Sequence, residues 1–161
     1  MRNGDTVTAY IGLGANTGDR GSNLYNAVAR LSQVPGVTVK KLSRLIETPA
    51  IGGPEGSPPF LNGAAIIETS LGSHALMKAL ADIEKDLGRG RREKWAPRPI
   101  DLDLLLYGDQ IISSDDLMVP HPLMHERSFV LEPLAEIAPD AVHPTLQMSV
   151  GGLLENLRLP R

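Results

Sequence analysis

The segment over residues 48–59 constrains the fold more than any other part of this chain. It holds four prolines and three glycines, too many for a helix or for the interior of a sheet. The residues on both sides of it, 37–45 and 60–69, read as strands. Two consecutive strands are therefore joined without a helix between them, which argues against a doubly wound parallel sheet.

The remaining elements follow from hydrophobic periodicity. Strands are predicted over residues 7–13, 37–45, 60–69 and 100–107. One helix begins behind a cap at Ser22 and ends before Pro35, and a second runs from Ser73 to Gly88. The order strand, helix, strand, strand, helix, strand predicts an α+β fold, a ferredoxin-like split β-α-β-β-α-β sheet with its helices packed on one side.

The C-terminal third predicts shorter elements. A short strand is expected at residues 111–112, a helix around residues 124–131, another after Pro133 and an amphipathic helix over residues 149–157. These are the extra C-terminal helices of the predicted fold.

Length and composition indicate one soluble domain over residues 1–161. The formal net charge of -3 argues against a nucleic-acid partner. No apolar run is long enough for a membrane span, and the N-terminus lacks the core of a signal peptide. The chain contains no cysteine, which excludes disulfides and thiolate chemistry. We expect a cytoplasmic monomer that acts on small molecules.

Two carboxylates alternate with apolar residues in the strand predicted over residues 100–107. Asp101 and Asp103 point to one face, whereas Ile100, Leu102, Leu104 and Leu106 point into a core. Aspartate is depleted in strands, and Mg²⁺ prefers one or two protein carboxylates together with water and phosphate oxygens. The pair therefore predicts a magnesium site, with the solvated face of an edge strand as the alternative.

The residues just before this strand form a dense cationic run: Arg89, Arg91, Arg92, Lys94 and Arg98. A magnesium-bound triphosphate supplies the anionic oxygens that such a run binds, and the alternative is a solvated charged loop. A nucleic-acid backbone is the competing anion. It is disfavoured because the acid pair would repel it and because aromatic residues make up only 4% of the chain.

Known nucleotide motifs do not account for the site. Thr17 stands where a dinucleotide fingerprint needs its third glycine, and no Gly-Lys-Ser/Thr of a P-loop occurs. Several residues keep two interpretations. His121 is either a phosphate ligand or structural, Phe60 and Phe129 either stack on a planar ring or pack in the core, and Trp95 either plugs the fold or covers a flat ligand.

The chain resembles the 6-hydroxymethyl-7,8-dihydropterin pyrophosphokinase family of folate biosynthesis. The resemblance rests on residues 10–16, 47–49, 60–62, 119–122 and 126–131, and above all on the signature Lys94-Trp95-Ala96-Pro97-Arg98-Pro99-Ile100-Asp101-Leu102-Asp103. It implies transfer of pyrophosphate from ATP to the hydroxymethyl oxygen of the dihydropterin, with release of AMP, on a ferredoxin-like scaffold that uses two Mg²⁺ ions.

The same resemblance implies the roles of individual residues. Asp101 and Asp103 would ligate both metal ions, and Arg89 and Arg98 match mobile catalytic arginines. The ATP side would comprise Glu84, Arg91, Lys94, Leu104, Met118, His121 and Arg127. On the pterin side, Phe60 and Phe129 would stack on the ring, and the side chains of Asn62 and Thr48 would hydrogen bond to it. Ala50 and Ile51 would contact the pterin through their backbone, and Trp95 would close over the site.

A few positions depart from the family's usual residues. Ala96, Pro99 and Pro122 replace a glycine, a threonine and an aromatic residue, and Lys94 replaces an arginine, which removes a bidentate phosphate contact.

Two other functions stay open. One is a non-catalytic ferredoxin-like module that binds small ligands or RNA, and the other is a nucleotidyltransferase that releases pyrophosphate rather than AMP.

Overall fold

The computed structural model describes residues 5–16, 19–49, 59–88 and 100–159. Its strands are β1 (Val7–Ala15), β2 (Val37–Leu42), β3 (Ile46–Thr48), β4 (Phe60–Thr69), β5 (Asp101–Tyr107), β6 (Ile112–Ser114), β7 (Leu117–Val119), β8 (Val142–His143) and β9 (Met148–Ser149). Its helices are α1 (Arg20–Ser32), α2 (Ser73–Gly88), α3 (Ser128–Ile137) and α4 (Val150–Arg158), with a 3₁₀ helix at Met124–Glu126. Among these helices none has the length and apolar character needed to cross a bilayer.

One antiparallel sheet organises the described part of the chain. Its strand order is β2-β4-β1-β5, and β3 also pairs with β4. The strand predicted over residues 37–45 is shorter than expected, because β2 ends at Leu42, and a further strand, β3, begins at Ile46. Ser43 stays attached to β4 through its hydroxyl, which accepts a hydrogen bond from the amide of Ala64 at 2.9 Å.

Apolar residues on the first face of the sheet pack against α1 and α2. Alternate positions of β1 contribute Ala9, Ile11 and Leu13, and the two helices contribute Leu24, Leu31, Leu76 and Leu80, all 3% exposed or less. Burial of this apolar surface supplies most of the driving force for folding.

A second apolar cluster lies on the opposite face of the sheet, beneath α3 and α4. It includes Ala64, Leu105 and Leu106 from the strands and Leu131, Leu134, Val150 and Leu153 from the helices. The prediction that all helices pack on one side is therefore wrong. The C-terminal helices cover the second face because that face also carries apolar residues that must leave water.

A β-bulge in the β1–β5 pairing explains one misplaced residue. Tyr10 pairs with Leu106 and Ile11 pairs with Leu104, so Leu105 is the extra residue. Leu102 and Leu104 lie in the first cluster as predicted, but Leu106 lies in the second. The alternation expected over the whole strand thus ends at the bulge.

Two helix predictions are also wrong in detail. The cap of α1 is Asp19, whose side chain accepts a hydrogen bond from the amide of Ser22 at 3.1 Å. Pro133 does not separate two helices but lies buried within α3. The burial of Leu131, Leu134 and Ile137 around it offsets the single backbone hydrogen bond that proline removes.

Candidate active site

A cavity of about 540 Å³ opens on the second face of the sheet, at the end not covered by the second apolar cluster. Strands β1, β3, β4 and β5 and the start of α3 supply its walls. The lining residues are Gly12, Leu13, Gly14, Thr48, Pro49, Phe60, Asn62, Gly63, Asp101, Asp103, Leu123, Glu126, Arg127, Ser128, Phe129 and Val130.

Gly14 forms the floor of this cavity between two groups of functional side chains. Across the sheet it pairs with Asn62 on one side and with Asp101 on the other. A β-carbon at Gly14 would lie 3.3 Å from Asn62 Oδ1, 3.8 Å from Phe60 Cδ1 and 3.9 Å from Asp101 Cβ. Because glycine lacks that carbon, the side chains from β4 and β5 come together over the same spot.

The predicted pterin-side residues that the structure describes all line the cavity. Thr48, Phe60, Asn62 and Phe129 are among its wall residues. Asn62 is only 6% exposed, and its Nδ2 donates a hydrogen bond to Thr48 Oγ1 at 2.6 Å. This bond leaves the Asn62 carbonyl oxygen as an acceptor and the Thr48 hydroxyl hydrogen as a donor, which suits a ring edge carrying both kinds of group.

Arg127 lies beside the aromatic wall. Its chain is extended, with φ -121 and ψ 104, and separates the 3₁₀ helix from α3. The guanidinium carbon lies 5.6 Å from the centre of the Phe129 ring, within reach of a cation–π contact. The predicted single helix over residues 124–131 is therefore interrupted at the residue that brings a cation to the cavity.

The acid pair lies at the other end of the cavity. Asp101 and Asp103 are half-buried and face the same side of β5, where they pair with Gly14 and Gly12. Within the described ranges, no group of three or more His, Asp or Glu side chains could hold a metal. A pair of carboxylates fits Mg²⁺, which takes its other ligands from water and phosphates.

Glu84 of α2 adds a third carboxyl group next to this pair without lining the cavity. Its Oε2 accepts a hydrogen bond from the amide of Leu102 at 2.6 Å. Burial, reinforced by the charges of Asp101 and Asp103, raises the pKa of Glu84 to about 7, although the Leu102 hydrogen bond opposes this shift. The negative charge concentrated here favours a bound cation.

His121 follows the cis Val119–Pro120 peptide bond and is held by hydrogen bonds from its backbone and its ring. Its amide donates to the Leu105 carbonyl at 3.0 Å, and its Nδ1 accepts from the Leu123 amide at 3.2 Å. The neutral ring therefore carries its proton on Nε2. Burial lowers the pKa of His121, the charge of Arg127 lowers it further, and Asp101 raises it.

The other sequence-predicted residues fall into two groups. Leu104 is buried in the first apolar cluster and Met118 is exposed on β7, and neither lines the cavity. Their predicted adenine contacts involve main-chain atoms and stay predictions. Outside the described residues lie Arg89, Arg91, Lys94, Trp95, Arg98, Ala50 and Ile51.

Gly12 and Gly14 belong to residues 10–16, which carry the family resemblance, and to a rejected nucleotide fingerprint, but the sequence did not predict them as the floor of a cavity. Their spacing of two places both on one face of β1, and this was the available signal. Glu126 and Ser128 were not predicted as wall residues either, although residues 126–131 are part of the family resemblance.

Comparison with known proteins identifies the family of this chain. The family described as 7,8-dihydro-6-hydroxymethylpterin-pyrophosphokinase (HPPK) matches residues 10–139. The 2-amino-4-hydroxy-6-hydroxymethyldihydropteridine pyrophosphokinase of Bacillus subtilis is 50% identical over 129 residues, covering 80% of this chain and 77% of that protein. The enzyme of the same name from Synechocystis is 42% identical over 149 residues, covering 92% and 75%.

Solved structures share the fold. Wild-type Plasmodium falciparum HPPK-DHPS, crystallised with STZ-DHP, aligns with a TM-score of 0.73 at 13% identity. The alignment covers 97% of this chain and 44% of that protein, so the chain spans less than half of its length. From the family match and the identity to the bacterial pyrophosphokinases, this chain is a member of the HPPK family.

Proposed function

We propose that this chain transfers pyrophosphate from ATP to the hydroxymethyl oxygen of 6-hydroxymethyl-7,8-dihydropterin, a step of folate biosynthesis, and releases AMP. The observation that carries the proposal is the single cavity in which an aromatic and amide wall meets an acid pair over Gly14. One end suits a planar heterocycle, and the other suits a metal-bound polyphosphate.

The pterin would lie between the rings of Phe60 and Phe129, where flat π-systems stack favourably. Asn62 Oδ1 would accept from the amino or ring N–H groups of the pterin, and the Thr48 hydroxyl would donate to a ring acceptor. Because Asn62 is buried and already bonded to Thr48, its orientation is set before the ligand arrives. Ala50, Ile51 and Trp95 would complete this end of the site.

The phosphates would lie toward Asp101, Asp103, Arg127 and His121. Asp101 and Asp103 would hold Mg²⁺, and the family resemblance implies two ions. Bound Mg²⁺ would neutralise phosphate charge and help to align the reacting oxygens. Arg127 would bind phosphate oxygens, and His121 Nε2–H would donate a hydrogen bond to them. The ATP side would also involve Glu84, Arg91, Lys94 and the main chain at Leu104 and Met118.

The chemistry is in-line attack on the β-phosphorus, in which positioning and charge stabilisation contribute more than covalent catalysis. Arg89 and Arg98 would stabilise the charge that develops on the transferred and leaving groups.

We also infer a cytoplasmic monomer with a ferredoxin-like split arrangement. The strand order β2-β4-β1-β5, in which β1 lies between β4 and β5, supports that arrangement.

Product analysis tests the proposal. The protein is incubated with ATP, Mg²⁺ and the hydroxymethyl-dihydropterin, and the products are separated by ion exchange. We expect AMP and the dihydropterin diphosphate in equal amounts, and neither without the pterin or after chelation of the metal. Release of pyrophosphate would instead indicate a nucleotidyltransferase, and pterin binding without turnover would indicate a non-catalytic module.

A further inference from the structure

We infer that Glu84 is a positioning residue that orients the acid pair of β5 by holding the backbone of that strand from α2. This inference rests on the proposed function, because it assigns Asp101 and Asp103 to the metal site. It gives the ATP-side residue Glu84 a specific task that requires no contact with the nucleotide.

The first observation is the place of β5 in the sheet. In the described sheet β5 pairs with β1 alone, so its other edge has no strand partner. Alternate backbone amides of an antiparallel strand point outward at such an edge. Leu102 is only 2% exposed, and its amide donates to Glu84 Oε2 at 2.6 Å, so a carboxylate takes the place of a neighbouring strand.

The second observation is which amide Glu84 holds. Leu102 lies between Asp101 and Asp103, and its peptide groups set the direction in which both side chains leave the strand. Glu84 also hydrogen bonds with the Asp101 side chain, so it contacts the acid pair through both the backbone and a side chain.

The third observation is the anchoring of Glu84 itself. Its neighbours on α2, Leu80 and Ile83, are 0% and 3% exposed in the first apolar cluster. The helix therefore presents Glu84 to β5 from a packed core. A direct ligand role is disfavoured, because the described residues contain no group of three acidic or histidine side chains arranged to hold a metal.

The test compares Glu84→Met, which fills similar space without an oxygen, with Glu84→Gln, which keeps an acceptor for the Leu102 amide. Asp82→Ala is the matched control, because Asp82 is an exposed carboxylate on the same helix, paired with Lys78. Two measurements are made without turnover: hydrogen exchange of the Leu102 amide in metal-free protein, and Mn²⁺ binding in the presence of a non-hydrolysable ATP analogue.

We expect Glu84→Met to weaken Mn²⁺ binding by roughly 10- to 100-fold, the usual effect of removing a group that orients metal ligands. Leu102 exchange should accelerate by about tenfold or more in the same variant, since the buried Leu102 amide loses its hydrogen-bond acceptor. Glu84→Gln should restore both values to within about threefold of wild type because its carbonyl accepts the same bond. Asp82→Ala should match wild type.

Two results would overturn the inference. One is Mn²⁺ affinity and Leu102 exchange in Glu84→Met that equal those of Asp82→Ala. The other is an equal loss of affinity in Glu84→Gln and Glu84→Met, which would indicate a direct role of the charge. Should Glu84→Met fail to fold, Glu84→Ala provides the same comparison with Glu84→Gln.

The wild-type product assay separates this inference from the proposed function. A wild type that forms no AMP, while its Mn²⁺ binding still depends on the Glu84 acceptor, overturns the proposed function alone. A wild type that forms AMP, while Glu84→Met binds Mn²⁺ normally, overturns the positioning role alone.

Discussion

The two faces of the sheet differ in how far their apolar surface extends. Beneath α1 and α2, the strand residues that face the helices are apolar from Ala9 to Leu13 and from Ile100 to Leu104. On the opposite face the apolar surface ends near Ala64 and Leu105, and Gly12, Gly14 and the acid pair follow. One face therefore stabilises the fold, while the other is divided between packing and a polar cavity.

This difference shows how a small sheet accommodates a charged site. Burial, reinforced by the charges of Asp101 and Asp103, raises the pKa of Glu84 to about 7, so a carboxyl group that ionises here opposes folding unless a cation is bound. The continuous apolar face opposite the cavity offsets that cost. Substitutions on the two faces should accordingly separate activity from stability.

The largest effect is expected at the acid pair. Asp103→Ala should lower AMP formation by about 1,000-fold or more, because bound metal contributes several kcal/mol to the transition state and each 1.4 kcal/mol is tenfold. Retained AMP formation would contradict the metal-site assignment.

The next largest effect compares the two apolar clusters. Leu31→Ala in α1 and Leu134→Ala in α3 each remove a side chain that is 0% exposed, and each should lower the free energy of unfolding by about 2–5 kcal/mol. Only Leu134→Ala should also raise KM for the pterin, because α3 carries Phe129. Denaturant unfolding and steady-state kinetics check this, and equal KM values in both variants would contradict the division of the faces.

A smaller effect is expected at the floor of the cavity. Gly14→Ala would place a β-carbon 3.3 Å from Asn62 Oδ1 and should raise KM for the pterin by roughly tenfold, an ordinary penalty for one misplaced methyl group. Gly12→Ala is the matched comparison. Its β-carbon would lie 3.4 Å from Leu105 Cδ2, an ordinary van der Waals distance, and would not approach Asn62, so its effect should be smaller. Pterin titrations measure KM in both variants. A larger increase in KM for Gly12→Ala than for Gly14→Ala would contradict the assignment.

The smallest effect concerns pH and the side of the sheet covered by α3 and α4. Burial, with the neighbouring His125 ring, lowers the pKa of His143 below its ordinary 6.5. The neutral ring is the form that fits the fold, so its stability contribution is complete above pH 6.5 and is lost as the pH falls through the lowered pKa.

Thermal unfolding between pH 7.5 and pH 5 checks this, with His143→Asn as the comparison. In the wild type the Leu146 amide donates a hydrogen bond to His143 Nδ1 at 3.1 Å. Asparagine keeps an acceptor for this amide, but its side chain does not titrate. The unfolding temperature of the variant should fall less on acidification. Parallel decreases in both proteins would assign the pH dependence to other groups.

Much of the local structure was predictable from sequence because it depends on residues close in the chain. The apolar spacing of Leu24, Ala27 and Leu31 predicted α1, and β4 occupies the predicted residues 60–69. The alternation of Asp101 and Asp103 with apolar residues predicted a strand with two carboxylates on one face, and both line the cavity. Phe60, Asn62, Thr48 and Phe129 were predicted through the family resemblance and also line it.

What only the tertiary structure decided depends on partners far apart in the chain. The meeting of Asn62 and Asp101 over Gly14 follows from strand register, and the bulge at Leu105 follows from the pairing of β1 with β5. Neither is encoded in a local period. Pro133 was predicted to lie between two helices, but packing against the sheet outweighed its local preference. The bond from Leu102 to Glu84 exists only because α2 packs beside β5.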